Sequence, residues 1–476
     1  MALRIYDTLS GKKISFKAPS KKALRLFVCG PTVYDYAHIG HARTYIFFDI
    51  FTRYLKSLGY KVFYLQNITD IDDKIIARAR EKNLPPQKLA DDFTKSYLAD
   101  MKVLGIASVT KYAPATKFIP QIIHQVKTLI EKGVAYKIEG DGYYFDISKF
   151  PDYGKLSRRT ALQAEDAISR IDESIKKRNR GDFCLWKFSK PGEPSWKSDL
   201  GNGRPGWHIE DTAISEKFFG PQYEIHGGAL DLKFPHHEAE IAQAEAASDK
   251  KPFVKIWMHG GLLTVNGEKM SKSLHNFITV REFLKTHPVN ILRFIISSHH
   301  YRQPIDYTEN MAESASAALK SLEEFLTKLE FVAKSQLQNP NNKSNLKSSA
   351  KGGSASGGQI QKYENAFNEA MDNDLNTPEA IAAIFNLIND VNKTIWQLGK
   401  KEAKTAENWL MAKLEILGIK IKLEKIPLKI KALAKQRELL RTNQQFIQAD
   451  ALRKEIEGLG YTVEDTVLGP LVLKRN

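Results

Sequence analysis

The chain has 476 residues, with 71 Lys and Arg against 55 Asp and Glu, a formal charge of +16 and a pI near 9.4. Hydrophobic residues at 42% and charged residues at 26% describe an ordinary globular protein. The absence of an 18-residue apolar run excludes a membrane span, and Met1-Ala2-Leu3-Arg4 does not open a signal peptide. Cys29 and Cys184, the only two cysteines, cannot build a disulfide framework, which points to a reducing cytoplasm. The basic excess favours a polyanionic partner such as nucleic acid.

In chain order, the apolar run Leu24 to Cys29 predicts a buried strand, stopped by Gly30 and Pro31. A loop to His41 comes next, then a helix from about Ala42 to Leu58, ended by Gly59, and a strand over Lys61 to Gln66. Strand, loop, helix and strand form a parallel βαβ unit, so the fold class expected is α/β, a Rossmann-like doubly wound sheet. Residues 1–110 are its first half, 111–205 an insertion, and 206–310 its second half. Residues 311–417 read as a helical bundle, with a Ser-, Asn-, Lys- and Gly-rich disordered loop at 335–358. Residues 418–476 read as a small separate domain. Residues 391–476 carry 17 Lys and Arg against 10 Asp and Glu, so the basic excess is partly C-terminal.

Two short signatures carry the chemistry. His38-Ile39-Gly40-His41 falls between the first strand and its helix, where backbone N–H groups and the helix dipole suit a phosphate. Two imidazoles there can donate hydrogen bonds to an α-phosphate, and Gly40 leaves room for a flat ligand. Lys269-Met270-Ser271-Lys272-Ser273 puts two cations on a short loop, suited to a departing pyrophosphate. Each string alone is weak, but both in this order, with an insertion between them, are specific.

Together they identify the chain as resembling the class I aminoacyl-tRNA synthetases. Within that class, Phe27 to Asp35, Gln66 to Lys74, Gly203 to Glu210, Ile225 to Gly228, Asp231 to Glu238 and Ala370 to Pro378 resemble the cysteinyl-tRNA synthetase family. The resemblance implies ATP-dependent activation of L-cysteine and its transfer to tRNA(Cys). It implies His38, His41, Lys269 and Lys272 as catalytic residues and Gly40, Ser271 and Ser273 as further ATP contacts, with Mg²⁺ accompanying ATP. Gly30, Thr69 and Asp231 match positions that hold the amino acid, and Trp207 matches the wall of its side-chain pocket. The last segment, Ala432 to Thr466, is similar to an anticodon-binding domain, although Leu471 to Arg475 stands where the family usually has a tryptophan. A monomer is expected.

Selecting cysteine against serine needs a group that prefers sulfur to oxygen, and Zn²⁺ does. Cys29 ends the first strand, and His236 and Glu240 are spaced i, i+4 on one helical face. The family pattern places the metal on residues matching Cys29, His236 and Glu240 plus a second cysteine, where this chain has Asp211. One zinc on Cys29, Asp211, His236 and Glu240 is the expectation. The alternatives are a three-coordinate site and a site without metal. Cys184 is expected to be a buried filler. Two other activities remain open on sequence grounds: a ligase joining activated cysteine to a small amine, and a non-catalytic RNA-binding relative.

Overall fold

The computed structural model describes residues 2–16, 22–159, 176–271, 276–338 and 357–475, with backbone alone at 336–338 and 357–359. The chain divides into two compact units. Residues 1–308 with Asp372–Leu375 form the first, and residues 309–371 with 376–476 the second.

A five-stranded parallel sheet organises the first unit. Its strands lie in the order Val254–Gly260, Tyr223–Ala229, Leu24–Val28, Val62–Ile68, Lys111–Pro114. Chain order reverses between Leu24–Val28 and Tyr223–Ala229, so the crevice at the carboxyl ends of these two strands is the topological switch point. Both strands are buried on both faces, and their charged members Arg25 and Glu224 pair with each other at 2.7 Å.

The helix Ile39–Ser57 is buried nearly all round, with Ile46, Phe48, Ile50, Phe51 and Leu55 fully or almost fully buried. It crosses the sheet where Gly227 leaves space: a Cβ there would stand 2.1 Å from Phe48 Cζ. Its other side is tied to the helix Val289–Ser297 through Arg293, whose Nη2 donates to Asp49 at 2.7 Å with both groups buried. The helix starts at Ile39 rather than Ala42, because His38 itself supplies the cap.

The insertion begins later than expected. Lys111–Pro114 pairs with Val62–Ile68 as the sheet's edge strand, because Leu65 to Ile68 continue the ladder beyond Gln66. The insertion itself consists of the helix Ile119–Glu131 and a four-stranded antiparallel sheet, Ala135–Ile138, Gly142–Phe145, Phe183–Phe188 and Gly203–Pro205. That helix buries Ile122, Val126 and Leu129 in the same core as Phe27 and Trp257.

The second unit holds the helices Glu309–Gln338, Gly357–Asp372, Thr377–Asn392 and Lys400–Leu417. Residues 335–338 and 357–358, placed by sequence in a disordered loop, are helical, and 339–356 lie outside the described residues. The paired helices Leu428–Thr442 and Phe446–Gly458 and the hairpin Tyr461–Thr466/Gly469–Lys474 share a small core of Ile430, Ala434, Ile456, Val463 and Val472. Residues 418–476, with this core of their own, belong to the same compact unit as the helical bundle. Among the described residues no helix is long and apolar enough to cross a membrane.

Candidate active site and metal centre

His38 caps the helix Ile39–Ser57 in an extended conformation, φ −107° and ψ 169°. Its Nδ1 accepts from the Gly40 N–H at 3.1 Å, and Nδ1 of His41 accepts from the His38 N–H at 3.4 Å. Two imidazoles thus form a capping box usually made by Ser or Thr and Glu. Because both Nδ1 atoms accept, each neutral ring carries its proton on Nε2. Burial holds His38 down at about 4; burial, with His38 as neighbour, holds His41 well below the usual range. The rings stack at 3.8 Å, so the loop presents two neutral Nε2–H donors side by side.

The second signature meets the first. A Cβ on Gly40 would lie 2.9 Å from the His38 ring and 3.0 Å from Met270 Cε. The Ile39 N–H donates to Ile278 O at 3.1 Å and the Val280 N–H to Ala37 O at 2.8 Å. Asn276 Oδ1 accepts from the Ser271 N–H at 2.8 Å, bridging the ends of the loop. Lys269 is exposed on the short strand Glu268–Lys269, while Lys272 and Ser273 lie outside the described residues.

At the switch point Cys29, Asp211, His236 and Glu240 come together, all buried. His236 Nε2 lies 3.0 Å from Asp211 Oδ2 and 2.9 Å from Glu240 Oε1, and Cys29 Sγ lies 3.7 Å from that same Glu240 oxygen. Burial opposes charge on His236, but the Glu240 and Asp211 carboxylates outweigh it and raise the imidazole to about 10. Burial raises Glu240 to about 7 against the pull of His236, and burial with these carboxylates pushes the Cys29 thiol well up. The His236 proton therefore balances two buried carboxylates, a role a divalent cation fills better. Asp211 Oδ1 and Glu240 Oε2 are buried without a hydrogen-bond partner. A thiol, an imidazole and unsatisfied carboxylate oxygens are acceptable zinc donors, so the residues fit the metal.

Sequence reasoning missed the surrounding imidazoles. His226 Nε2 and His237 Nε2 lie 3.2 and 3.1 Å from Cys29 Sγ, His208 Nδ1 is 2.8 Å from His236 Nδ1, and His259 Nε2 is 2.7 Å from His237 Nδ1. Burial, together with neighbouring imidazoles, holds His208, His226 and His237 well below the usual range, so the 3.3 Å approach of His226 to Glu240 is not an ion pair. The signal was there: five of the chain's 12 histidines fall between residues 208 and 259.

A cavity of about 330 Å³ opens beside this cluster, lined among others by Thr32, Asp72, Arg204, Trp207, His208 and Pro235. Trp207 lines this cavity and stacks on His236 at 4.5 Å, so the indole borders both cavity and cluster. Cys184, expected to be buried filler, is half-buried and lines this cavity, because the strand Phe183–Phe188 borders it. Thr69 is buried and donates from Oγ1 to Glu210 Oε2 at 2.8 Å. Burial first, then Asp211, raises that Glu210 carboxyl well above its usual range. Gly30 packs on the Asn67 backbone, where a Cβ would stand 1.8 Å from the carbonyl oxygen. Asp231 is exposed on the turn Leu230–Lys233 and does not line the cavity.

Residues 15–317 match the family model of tRNA synthetases class I (C) catalytic domain, and residues 366–422 match the DALR domain. The chain is 43% identical to a cysteine–tRNA ligase of Thermococcus gammatolerans over 98% of both chains. It is 42% identical to those of Methanococcus maripaludis, over 99% of both, and Carboxydothermus hydrogenoformans, over 98% of this chain and 99% of that one. It belongs to the cysteine–tRNA ligase family. Its catalytic unit is that of a class I aminoacyl-tRNA synthetase, and membership makes it a ligase that aminoacylates tRNA. The fold agrees with solved class I enzymes. Mycobacterium tuberculosis methionyl-tRNA synthetase in complex with methionyl-adenylate superposes with TM-score 0.60 at 16% identity, covering 83% of this chain and 89% of that one. A putative arginyl-tRNA synthetase from Campylobacter jejuni gives 0.58 at 14% identity, covering 86% and 95%.

Proposed function

We propose that the chain activates L-cysteine at the cavity beside Trp207 and transfers it to the 3′-terminal ribose of tRNA(Cys). The observation that supports this reading most is the meeting of a buried Cys, Asp, His and Glu donor cluster with an indole wall at the switch point of a class I catalytic unit.

In the first step a cysteine carboxylate oxygen attacks the α-phosphorus of ATP, and pyrophosphate leaves with its bonding electrons. The Nε2–H groups of His38 and His41 donate to the α-phosphate oxygens as charge builds there, at no reorganisation cost because the cap already fixes both rings. Lys269 and Lys272 neutralise the leaving pyrophosphate, with Mg²⁺, and Ser271 and Ser273 complete the loop's contacts to ATP. Gly40 leaves the adenine room. In the second step a ribose hydroxyl, the 2′ in this class, attacks the carbonyl carbon and AMP leaves.

Trp207 walls the side-chain pocket, Gly30 lets the end of its strand close on Asn67, and Thr69 holds the amino acid's polar end; Asp231, outside the cavity, takes no part in this reading. Cys29, Asp211, His236 and Glu240 would hold a zinc ion, which when bound prefers the substrate's thiolate to a hydroxyl. Asp211 takes the place of a second thiolate. Residues 418–476 supply the basic surface for the anticodon arm. A free Cys29 thiol fits a reducing cytoplasm, and the reading takes the chain as a monomer.

The test is metal content measured beside amino-acid-dependent pyrophosphate exchange. About one zinc per chain, with exchange driven by cysteine and not by serine, is expected. Exchange with cysteine in metal-free protein would refute the metal's role. No exchange with either amino acid would refute the activity itself.

A further inference from the structure

The donor cluster contains a second set of four. Cys29, His226, His237 and Glu240 also bring one ligand atom each to within 4.8 Å of one another, all buried. This set shares Cys29 and Glu240 with the first but replaces Asp211 and His236 by two imidazoles. The first set lies against Trp207, which lines the cavity. The second lies toward the core, where the buried Trp257 stacks on His226 at 4.4 Å and packs on His237 at 5.2 Å.

We propose that this deeper set is a second metal seat, and that in the substrate-free protein zinc occupies Cys29–His226–His237–Glu240 rather than Cys29–Asp211–His236–Glu240. The proposal rests on the reading that the chain binds a metal at all.

The geometry is that of prepared ligands. Tetrahedral donors about 2.0–2.3 Å from an ion stand roughly 3.3–3.6 Å from one another. His226 Nε2 lies 3.3 Å from Glu240 Oε2, and the two imidazoles approach Cys29 Sγ at 3.2 and 3.1 Å, so a few tenths of an ångström of expansion admits an ion. The same Glu240 oxygen is fully buried yet makes no hydrogen bond. Each imidazole is held from behind. Tyr223 OH sits 2.6 Å from His226 Nδ1, and His259 Nε2 sits 2.7 Å from His237 Nδ1. His259 is anchored in turn, its Nδ1 at 2.8 Å from Thr8 Oγ1. Such outer partners fix the tautomer and orientation of ligating histidines. Gly228 belongs to the seat as well: a Cβ there would stand 2.8 Å from His237 Cε1 and displace the ring.

Ligand softness then decides between the seats. The outer set offers one sulfur, one nitrogen and two carboxylate oxygens; the deeper one offers one sulfur, two nitrogens and one oxygen. Zinc favours the softer set. Asp211 is what makes the outer seat hard, so the preference comes from this chain's own departure from the family pattern.

Zinc-edge X-ray absorption on the full-length, substrate-free protein tests this without any substitution. One sulfur and two imidazoles per zinc are expected. One imidazole would overturn the proposal and leave the metal reading standing; a protein without zinc would overturn both. Competition against a zinc-chelating dye supplies a second readout. His237→Gln should weaken zinc at least tenfold and Asp211→Asn less than threefold, and the reverse order would overturn the deeper seat. His226→Gln repeats the comparison if His237→Gln fails to fold, since His226 belongs to the deeper set only.

Discussion

Thr279 stands opposite His38 in an antiparallel bridge, so the segment just beyond the lysine loop is hydrogen-bonded to Ala37 and Ile39, on either side of the residue that caps the first helix of the sheet domain. Two signatures far apart in sequence are thereby one structure. A shift of Thr279 is felt at His38, whose ring position depends on the same backbone.

Gly40→Ala tests that coupling. The new Cβ would collide with the His38 ring and with Met270 Cε, and at least one must move. The expected result is a fall in cysteine-dependent pyrophosphate exchange of about a hundredfold, because misplacing a group by an ångström costs that order. Thermal unfolding should change little, since alanine favours a helix more than glycine does.

His38 has two roles that substitution can separate. Asn keeps a cap acceptor and loses the Nε2–H donor; Ala loses both. His38→Asn should hold stability within about 0.5 kcal/mol, whereas His38→Ala should lose about 0.5–2 kcal/mol in urea unfolding. Both should lose roughly 100-fold or more in exchange rate. The pH dependence has a definite sign. With the folded imidazole lowered to about 4 from 6.5, the unfolded chain binds the proton first, so this group's contribution is complete above pH 6.5 and falls away between 6.5 and 4. Exchange activity should therefore show no His38 step near pH 6.5.

Asp49 ties the catalytic helix to its neighbour, accepting from buried Arg293 at 2.7 Å and from Arg53 at 2.7 Å. Asp49→Asn strands the Arg293 charge, and a loss of about 3–5 kcal/mol in chemical denaturation is expected. Burial alone would raise this carboxyl, but Arg293 and Arg53 hold it below its usual value. Its stabilisation is therefore present above pH 3.8 and is lost as pH falls through the lower folded value. A denaturation midpoint in Asp49→Asn that matches the parent protein at neutral pH would refute the assignment.

Stripping the metal with a chelator should lower the melting temperature, because the buried Glu240 carboxylate, common to both donor sets, loses its cation. Restoring zinc at about a thousand times its dissociation constant should recover about 4 kcal/mol. Calorimetry checks this, and an unchanged melting temperature after verified metal loss would count against the site.

The sequence by itself determined the class of fold and the family to which its two signatures belong. Local information suffices there: Leu24 to Val28 is apolar except for Arg25, and the H-I-G-H and K-M-S-K-S strings carry their donors in a few consecutive residues. The i, i+4 spacing of His236 and Glu240 likewise survives folding unchanged, since one helix sets it. Features that depend on partners distant in the chain were decided only in three dimensions. Lys111–Pro114 is four residues long and reads as sheet only beside Val62–Ile68. His41 is helical because His38 caps it. Above all, the company of Cys29 comes from three separate segments of the sheet domain, Asp211, His226 and the His236–Glu240 helix. A thiol's neighbours across a parallel sheet are set by strand order, which no single stretch of sequence records.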